Sequence, residues 1–270
     1  MDETAQPAAP SRPRSAGDGV LAQLTEPPAR RVVLTTIAAN VGVFALWRVG
    51  RKGMAPPWLA NVLGRHFMCS YNHLKAGRVH TIFTSTISHH KTSHLILNAY
   101  GLFLFGNVAA EVLKPSELGF LMAMSGGTAS MAHINVHRSN PVLGASGMLM
   151  GLVTACAFLD PKHEFHMMLP FPGLRFTMLQ VADFCLVANL LGFFFLKTRF
   201  PIAWAAHLGG TAFGLGYVAG GNLRGDPRLA NIWRVHLDNV PEDWRQTAIS
   251  VDESIDRIRN FLQPSTKTSE

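Results

Sequence analysis

Long apolar runs separated by polar connections dominate the chain between residues 32 and 221. Six runs, 32–47, 94–113, 118–136, 141–159, 176–196 and 200–221, are each apolar enough to form a membrane helix. A hydrocarbon core takes roughly 20 apolar residues of helix per crossing, because a backbone exposed to lipid must satisfy its own hydrogen bonds. The pattern therefore predicts an all-α, polytopic membrane protein with six spanning helices. The first run is short, and Trp47-Arg48 at its end reads as an interfacial anchor with a snorkelling cation. Most later connections are short, which predicts a compact bundle of antiparallel neighbours. The connection 48–91 is long and rich in His, Arg and Lys, yet contains Trp58, Leu59, Val62, Leu63 and Phe67. Part of it is expected to lie in the membrane interface. Three regions follow: a Pro- and Ala-rich segment 1–31 read as disordered, a membrane domain 32–221, and a polar tail 222–270 with a short amphipathic helix near 248–262.

Composition sharpens this picture. The chain is 48% hydrophobic and 15% charged, against about 25% charged for an ordinary soluble domain. Of 24 Lys and Arg and 17 Asp and Glu, only Glu111 and Asp183 fall inside the six runs. A soluble helical protein could scarcely build its surface from so few charges. The mean hydropathy of +0.17 is thus the average of an apolar body and polar ends. The net charge of +7 is read as interfacial anchoring, and no nucleic-acid partner is expected. The Lys and Arg distribution leans towards both termini on the positive face of the membrane. Asp183 is expected to make a helix-packing polar contact. Three cysteines cannot form a disulfide framework, and Cys156 and Cys185 read as small apolar packing groups. No CxxC pair is present, and neither metal nor cofactor is expected. The N-terminal segment contains four Arg but also Asp2, Glu3, Asp18 and Glu26, unlike an acid-poor transit peptide, and no apolar secretory signal precedes the first run.

The candidate chemistry lies in polar residues placed where they are costly. Gly144-Ala145-Ser146-Gly147 lies early in the fourth run, and His207 lies inside the sixth, in Ala205-Ala206-His207-Leu208-Gly209-Gly210. A serine becomes a nucleophile when an imidazole within hydrogen-bond reach accepts its proton. A helix N-terminus at Ser146 would aim free backbone N–H groups at a developing oxyanion. Gly210 and Gly214 follow His207 on its own helical face, and Gly147 and Gly151 make a four-residue small-residue step on the fourth run. Two such faces allow close helix approach. Small residues and an intramembrane His also serve ordinary helix packing, so the joint arrangement carries the argument. On the second run His94 and Asn98 share a face and are suitable oxyanion donors, or else an interfacial His and an interhelical Asn. His90 and His94 invite a metal reading, but no HExxH and no convergent carboxylate accompany them.

The order His94-x-x-x-Asn98, Gly144-x-Ser146-Gly147, then Ala206-His207-x-x-Gly210-x-x-x-Gly214 resembles rhomboid intramembrane serine proteases. The likeness extends over 32–220 and is closer to the mitochondrial, presenilin-associated rhomboid-like branch. Supporting phrases are Ala38-Ala39-Asn40-Val41, Leu46-Trp47-Arg48-Val49, Phe200 through Gly210, Tyr217-Val218, and the tail around Ile232-Trp233. The resemblance implies a Ser146/His207 dyad without an acidic third member, with His94 and Asn98 completing the oxyanion hole. It also implies that the fifth run, with Phe193-Phe194-Phe195, acts as a lateral gate, and that Glu111 steadies the first loop. Its implied partners are membrane-protein substrates and the bilayer, and its implied address is the mitochondrial inner membrane. Three features depart from the family pattern. Residues 1–31 hold no additional upstream span, the Trp-Arg pair stands at the end of the first run, and Met150 takes the place of a Tyr four residues after the nucleophile, where its sulfur can pack against the His ring.

The expected reaction is peptide hydrolysis in or near a substrate's transmembrane segment through an acyl-enzyme on Ser146. The alternative within the same fold is a non-catalytic protein that binds membrane clients. A small transporter or channel would show paired half-helices or charged pore residues, and neither pattern is clear.

Overall fold

Pro28 opens the first helix, a position that suits its fixed φ and missing N–H. The computed structural model describes residues 28–166, 173, 175–196, 202–224, 226, 228, 253, 254 and 257. Helix α1 (Pro28–Arg51) therefore takes in residues 28–31, which composition had assigned to a disordered segment. The rest of that segment, most of the tail helix expected near 248–262 and the Ile232-Trp233 phrase lie outside the described residues.

Trp47 is not an interfacial anchor. It is 5% exposed, donates its indole N–H to Ser88 Oγ at 2.8 Å and meets His90 edge-on at 4.2 Å. The long connection folds back over α1 as α2 (Pro57–His66), α3 (Tyr71–Lys75), α4 (Thr81–Thr84) and a 3-10 turn, Ser85–Ile87. Leu63 buries against Val43 and Trp47, while Trp58 and Val62 on the same short helix stay exposed. One face of α2 thus pins the connection to the body and leaves an apolar rim.

Helices α5 (Thr92–Val112) and α6 (Pro115–Val136) follow, then α7 (Ser146–Leu159), the hairpin β1 (Glu164–His166) and β2 (Arg175–Thr177), α8 (Met178–Leu191) with a π-helical turn Gly192–Leu196, and α9 (Trp204–Leu223). The hairpin pairs antiparallel with Phe165 opposite Phe176 and is an element the all-α expectation lacked. Thr177 starts α8 through a reciprocal cap: its hydroxyl accepts from the Gln180 N–H, and Gln180 Oε1 accepts from the Thr177 N–H.

Helix α7 sits centrally, touching α5, α6, α8 and α9. Leu152, Val153, Ala155 and Cys156 are buried along it. With 14 residues it rises only about 21 Å, less than a hydrocarbon core. The run 141–159 is therefore not one spanning helix. Its first residues are extended, with Val142 bridging Cys69, and Gly144 turns the backbone through φ +124°. Among the described residues, three helices are long and apolar enough to cross a membrane: Pro28–Arg51, Thr92–Val112 and Met178–Leu196. Helices α6 and α9 have the length, but Ser, Gly and His dilute their apolar character.

Two charged positions also differ from expectation. Glu111 pairs with Arg30 at the start of α1 at 3.0 Å, rather than steadying the first loop. Asp183 is exposed on α8 rather than packed between helices, and its place early in that helix keeps it near one end of the span. In the tail, Arg228 donates to both carboxylate oxygens of Glu117, at 2.9 and 3.0 Å, to the Val112 carbonyl and to Asp226. That guanidinium holds the Asp226 carboxyl below the usual carboxylate range.

Candidate active site

Ser146 is the first residue of α7. Its N-cap, Ala145, has no side chain able to bond the first turn. Leu149 N–H is the first amide to close onto this helix, on the Ala145 carbonyl, so the amides of Ser146, Gly147 and Met148 have no carbonyl a full turn back within it. Gly144 prepares this start: its N–H donates to the Ser85 carbonyl, and a β-carbon there would come within 2.6 Å of the His94 ring.

His207 lies in the first turn of α9, and its Nε2 is 2.9 Å from Ser146 Oγ. The helices reach this separation through their glycines. A β-carbon on Gly210 would fall inside contact distance of the Gly147 carbonyl, and one on Gly214 would lie 2.5 Å from the Gly151 carbonyl oxygen. Gly147 and Gly151 also face Ala129 and Ser125 of α6 so closely that neither position has room for a methyl group.

The imidazole is held from behind. His207 Nδ1 is 2.7 Å from Asn189 Oδ1. The Asn189 amide nitrogen donates to the Cys185 carbonyl at 2.7 Å and to Met150 Sδ at 3.4 Å. Thus the Met150 sulfur meets the amide that holds the ring. Trp204 meets the imidazole edge-on, with centroids 6.2 Å apart.

Asn98 and His94 both face the start of α7. Asn98 donates its amide N–H to His89 Nε2 at 2.9 Å, and the Ala145 N–H reaches the same nitrogen at 3.4 Å. His94 packs against Gly144 and meets His89 edge-on at 4.8 Å. Burial, with His94 and His90 adding to it, pushes His89 down to about 3, so this imidazole is neutral and can accept both donors. His90 and His94 do not pair, since His90 turns to Trp47.

Sequence reasoning left Asn189 and His89 unassigned. Asn189 carried the signal that singled out His207, a polar side chain in an apolar run. No helical spacing links positions 18 apart on different helices.

Fold and site together define an α-helical protein with helices apolar enough to span a membrane and a Ser–His pair between two packed helices. The Rhomboid domain family model matches residues 76–221, more than half of the chain. The chain belongs to the rhomboid family. Its relatives include RHOMBOID-like protein 12, mitochondrial, of Arabidopsis thaliana, 27% identical over 204 residues that cover 68% of this chain and 56% of that protein. The presenilin-associated rhomboid-like protein, mitochondrial, of Homo sapiens is 28% identical over 221 residues, covering 79% of this chain and 55% of that protein. Rhomboid-like protein 17, chloroplastic, of Arabidopsis thaliana is 29% identical over 154 residues, covering 50% and 44% respectively. The chain spans little more than half the length of the two mitochondrial relatives.

Proposed function

We propose that this chain is an intramembrane serine protease that hydrolyses peptide bonds in or near transmembrane segments of membrane-protein substrates. The observation that carries this reading is the 2.9 Å contact between His207 Nε2 and Ser146 Oγ at the start of a helix with open amides. His207 takes the hydroxyl proton as Ser146 attacks the scissile carbonyl, then returns it to the leaving amine. The Ser146 N–H, with Asn98 and His94, receives the developing oxyanion. Water then attacks the acyl-enzyme, and His207 again serves as base.

The six helices α1, α5, α6, α7, α8 and α9 form the membrane body in this reading. Phe194 and Phe195 are exposed on the end of α8, which suits a lipid-facing gate. The mitochondrial relatives support a mitochondrial address, and we place the chain in the inner membrane. Client binding does not require a Ser–His pair, so the pairing of Ser146 with His207 favours the hydrolase.

The test is cleavage of a transmembrane reporter in proteoliposomes by wild type, Ser146→Ala and His207→Ala. Wild type is expected to cleave and to label with a fluorophosphonate at Ser146, and both variants to lose at least about a thousandfold. Unchanged cleavage in both variants would overturn the dyad.

A further inference from the structure

We infer that Asn189 is a positioning residue that sets the tautomer and ring orientation of His207, so that Ser146, His207 and Asn189 form one hydrogen-bonded chain; this rests on the hydrolase reading above. The Cys185 carbonyl can only accept a hydrogen bond, so the Asn189 amide must turn its nitrogen towards it. That leaves Oδ1, an acceptor, facing His207 Nδ1 at 2.7 Å. The His207 proton is then on Nδ1, and Nε2 presents its lone pair to the Ser146 hydroxyl. The opposite tautomer would make Nε2 a donor, unable to take the serine proton.

Asn189 is built for this task. It is 4% exposed, and its amide is fixed at three points: the Cys185 carbonyl on its own helix, the Met150 sulfur on α7 and the His207 ring on α9. A neutral amide suits the surroundings, because a carboxylate here would be a desolvated charge in an apolar bundle. As the imidazole gains a proton from Ser146, its Nδ1–H bond to the amide oxygen strengthens, and no charge has to be buried beforehand.

The experiment uses the full chain in proteoliposomes, with Asn189→Leu, which removes the acceptor, and Asn189→Asp, which keeps one. Readouts are kcat and KM on a transmembrane reporter and the 15N-histidine spectrum, with His207 signals assigned by their loss in His207→Gln. Asn189→Leu is expected to lower kcat about 10- to 100-fold with KM within about twofold, and to move the His207 proton from Nδ1 to Nε2. Asn189→Asp keeps an acceptor towards His207 Nδ1 but loses the donor to the Cys185 carbonyl, and is expected to retain the Nδ1 proton and to lose less of kcat than Asn189→Leu. Wild-type kcat in Asn189→Leu, an unchanged tautomer, or equal losses in both variants with raised KM would overturn the inference while leaving the protease reading intact. A wild type that neither cleaves nor labels overturns the protease reading, and the tautomer readout still decides whether Asn189 sets the ring.

Discussion

Gly210 of α9 lies so close to the Gly147 carbonyl of α7 that no β-carbon fits between them. This backbone-to-backbone approach brings His207 and Ser146, 61 residues apart in sequence, within 2.9 Å. The site is thus a consequence of helix packing, and its geometry is sensitive to single methyl groups.

Gly210→Ala is expected to force α7 and α9 apart. Overpacking of this kind costs about 1–3 kcal/mol, and reporter cleavage should fall at least about tenfold because proton transfer needs hydrogen-bond contact. Gly216 on the same helix has open space around it. Gly216→Ala should therefore match wild type in activity and gain up to about 1 kcal/mol in stability. Thermal unfolding and cleavage of the two variants check the contrast.

Gly144→Ala meets two penalties at once, a backbone at φ +124° and a methyl group within 2.6 Å of the His94 ring. The strained backbone alone costs about 1–3 kcal/mol. The turn carries Ser146, so fluorophosphonate labelling of Ser146 should slow more than tenfold on the usual scale for misplaced reacting groups. Labelling kinetics give the answer directly.

Asn98→Ala removes the donor to His89 and, in the proposed mechanism, one donor to the oxyanion. Loss of such a donor lowers kcat by about 100- to 1000-fold. KM should hold, because the ground-state carbonyl carries little of the charge that the donor stabilises. A rise in KM with unchanged kcat would remove Asn98 from the oxyanion hole.

Trp47→Phe keeps the ring packing against His90 and loses the hydrogen bond to Ser88, both partners being buried. The cost should be about 1–3 kcal/mol, since the Ser88 hydroxyl stays buried without its donor. Glu111→Gln, which breaks the more exposed Arg30 pair, should change stability by less than about 1 kcal/mol. Tm values of both variants in one detergent decide it.

Arg228→Gln should loosen the described part of the tail from the start of α6, measured as faster limited proteolysis. Because Arg228 holds the Asp226 carboxyl below its usual range, the stability this contributes is present above about pH 4, the ordinary value. It is lost as pH falls through the lower folded value. The variant should show a flatter loss of stability on acidification.

Much of the fold was legible in the sequence because lipid imposes one-dimensional rules. A helix crossing hydrocarbon must be long, apolar and nearly free of charge, and the helices α5 and α8 follow from run lengths alone, while α1 extends beyond its short run to Pro28 and Arg51. The same rules misjudged 141–159, where a local turn at Gly144 ends the extended chain and delays the helix to Ser146. Trp47 was misjudged for a related reason: an aromatic at the end of an apolar run looks interfacial until the following 40 residues fold back and bury it.

At the site, sequence alone determined the chemical types available. Ser146, His207, His94 and Asn98 stood out as polar groups in apolar runs, and the glycines lay at spacings that share a helix face. The helical period relates residues along one helix and carries nothing about which faces of different helices meet. Only the tertiary structure could therefore place Asn189 behind His207, His89 between Asn98 and Ala145, and Met150 against the Asn189 amide. Those relationships depend on how four helices and the connection before α5 pack together, where one carbonyl that can only accept fixes the direction of the next hydrogen bond.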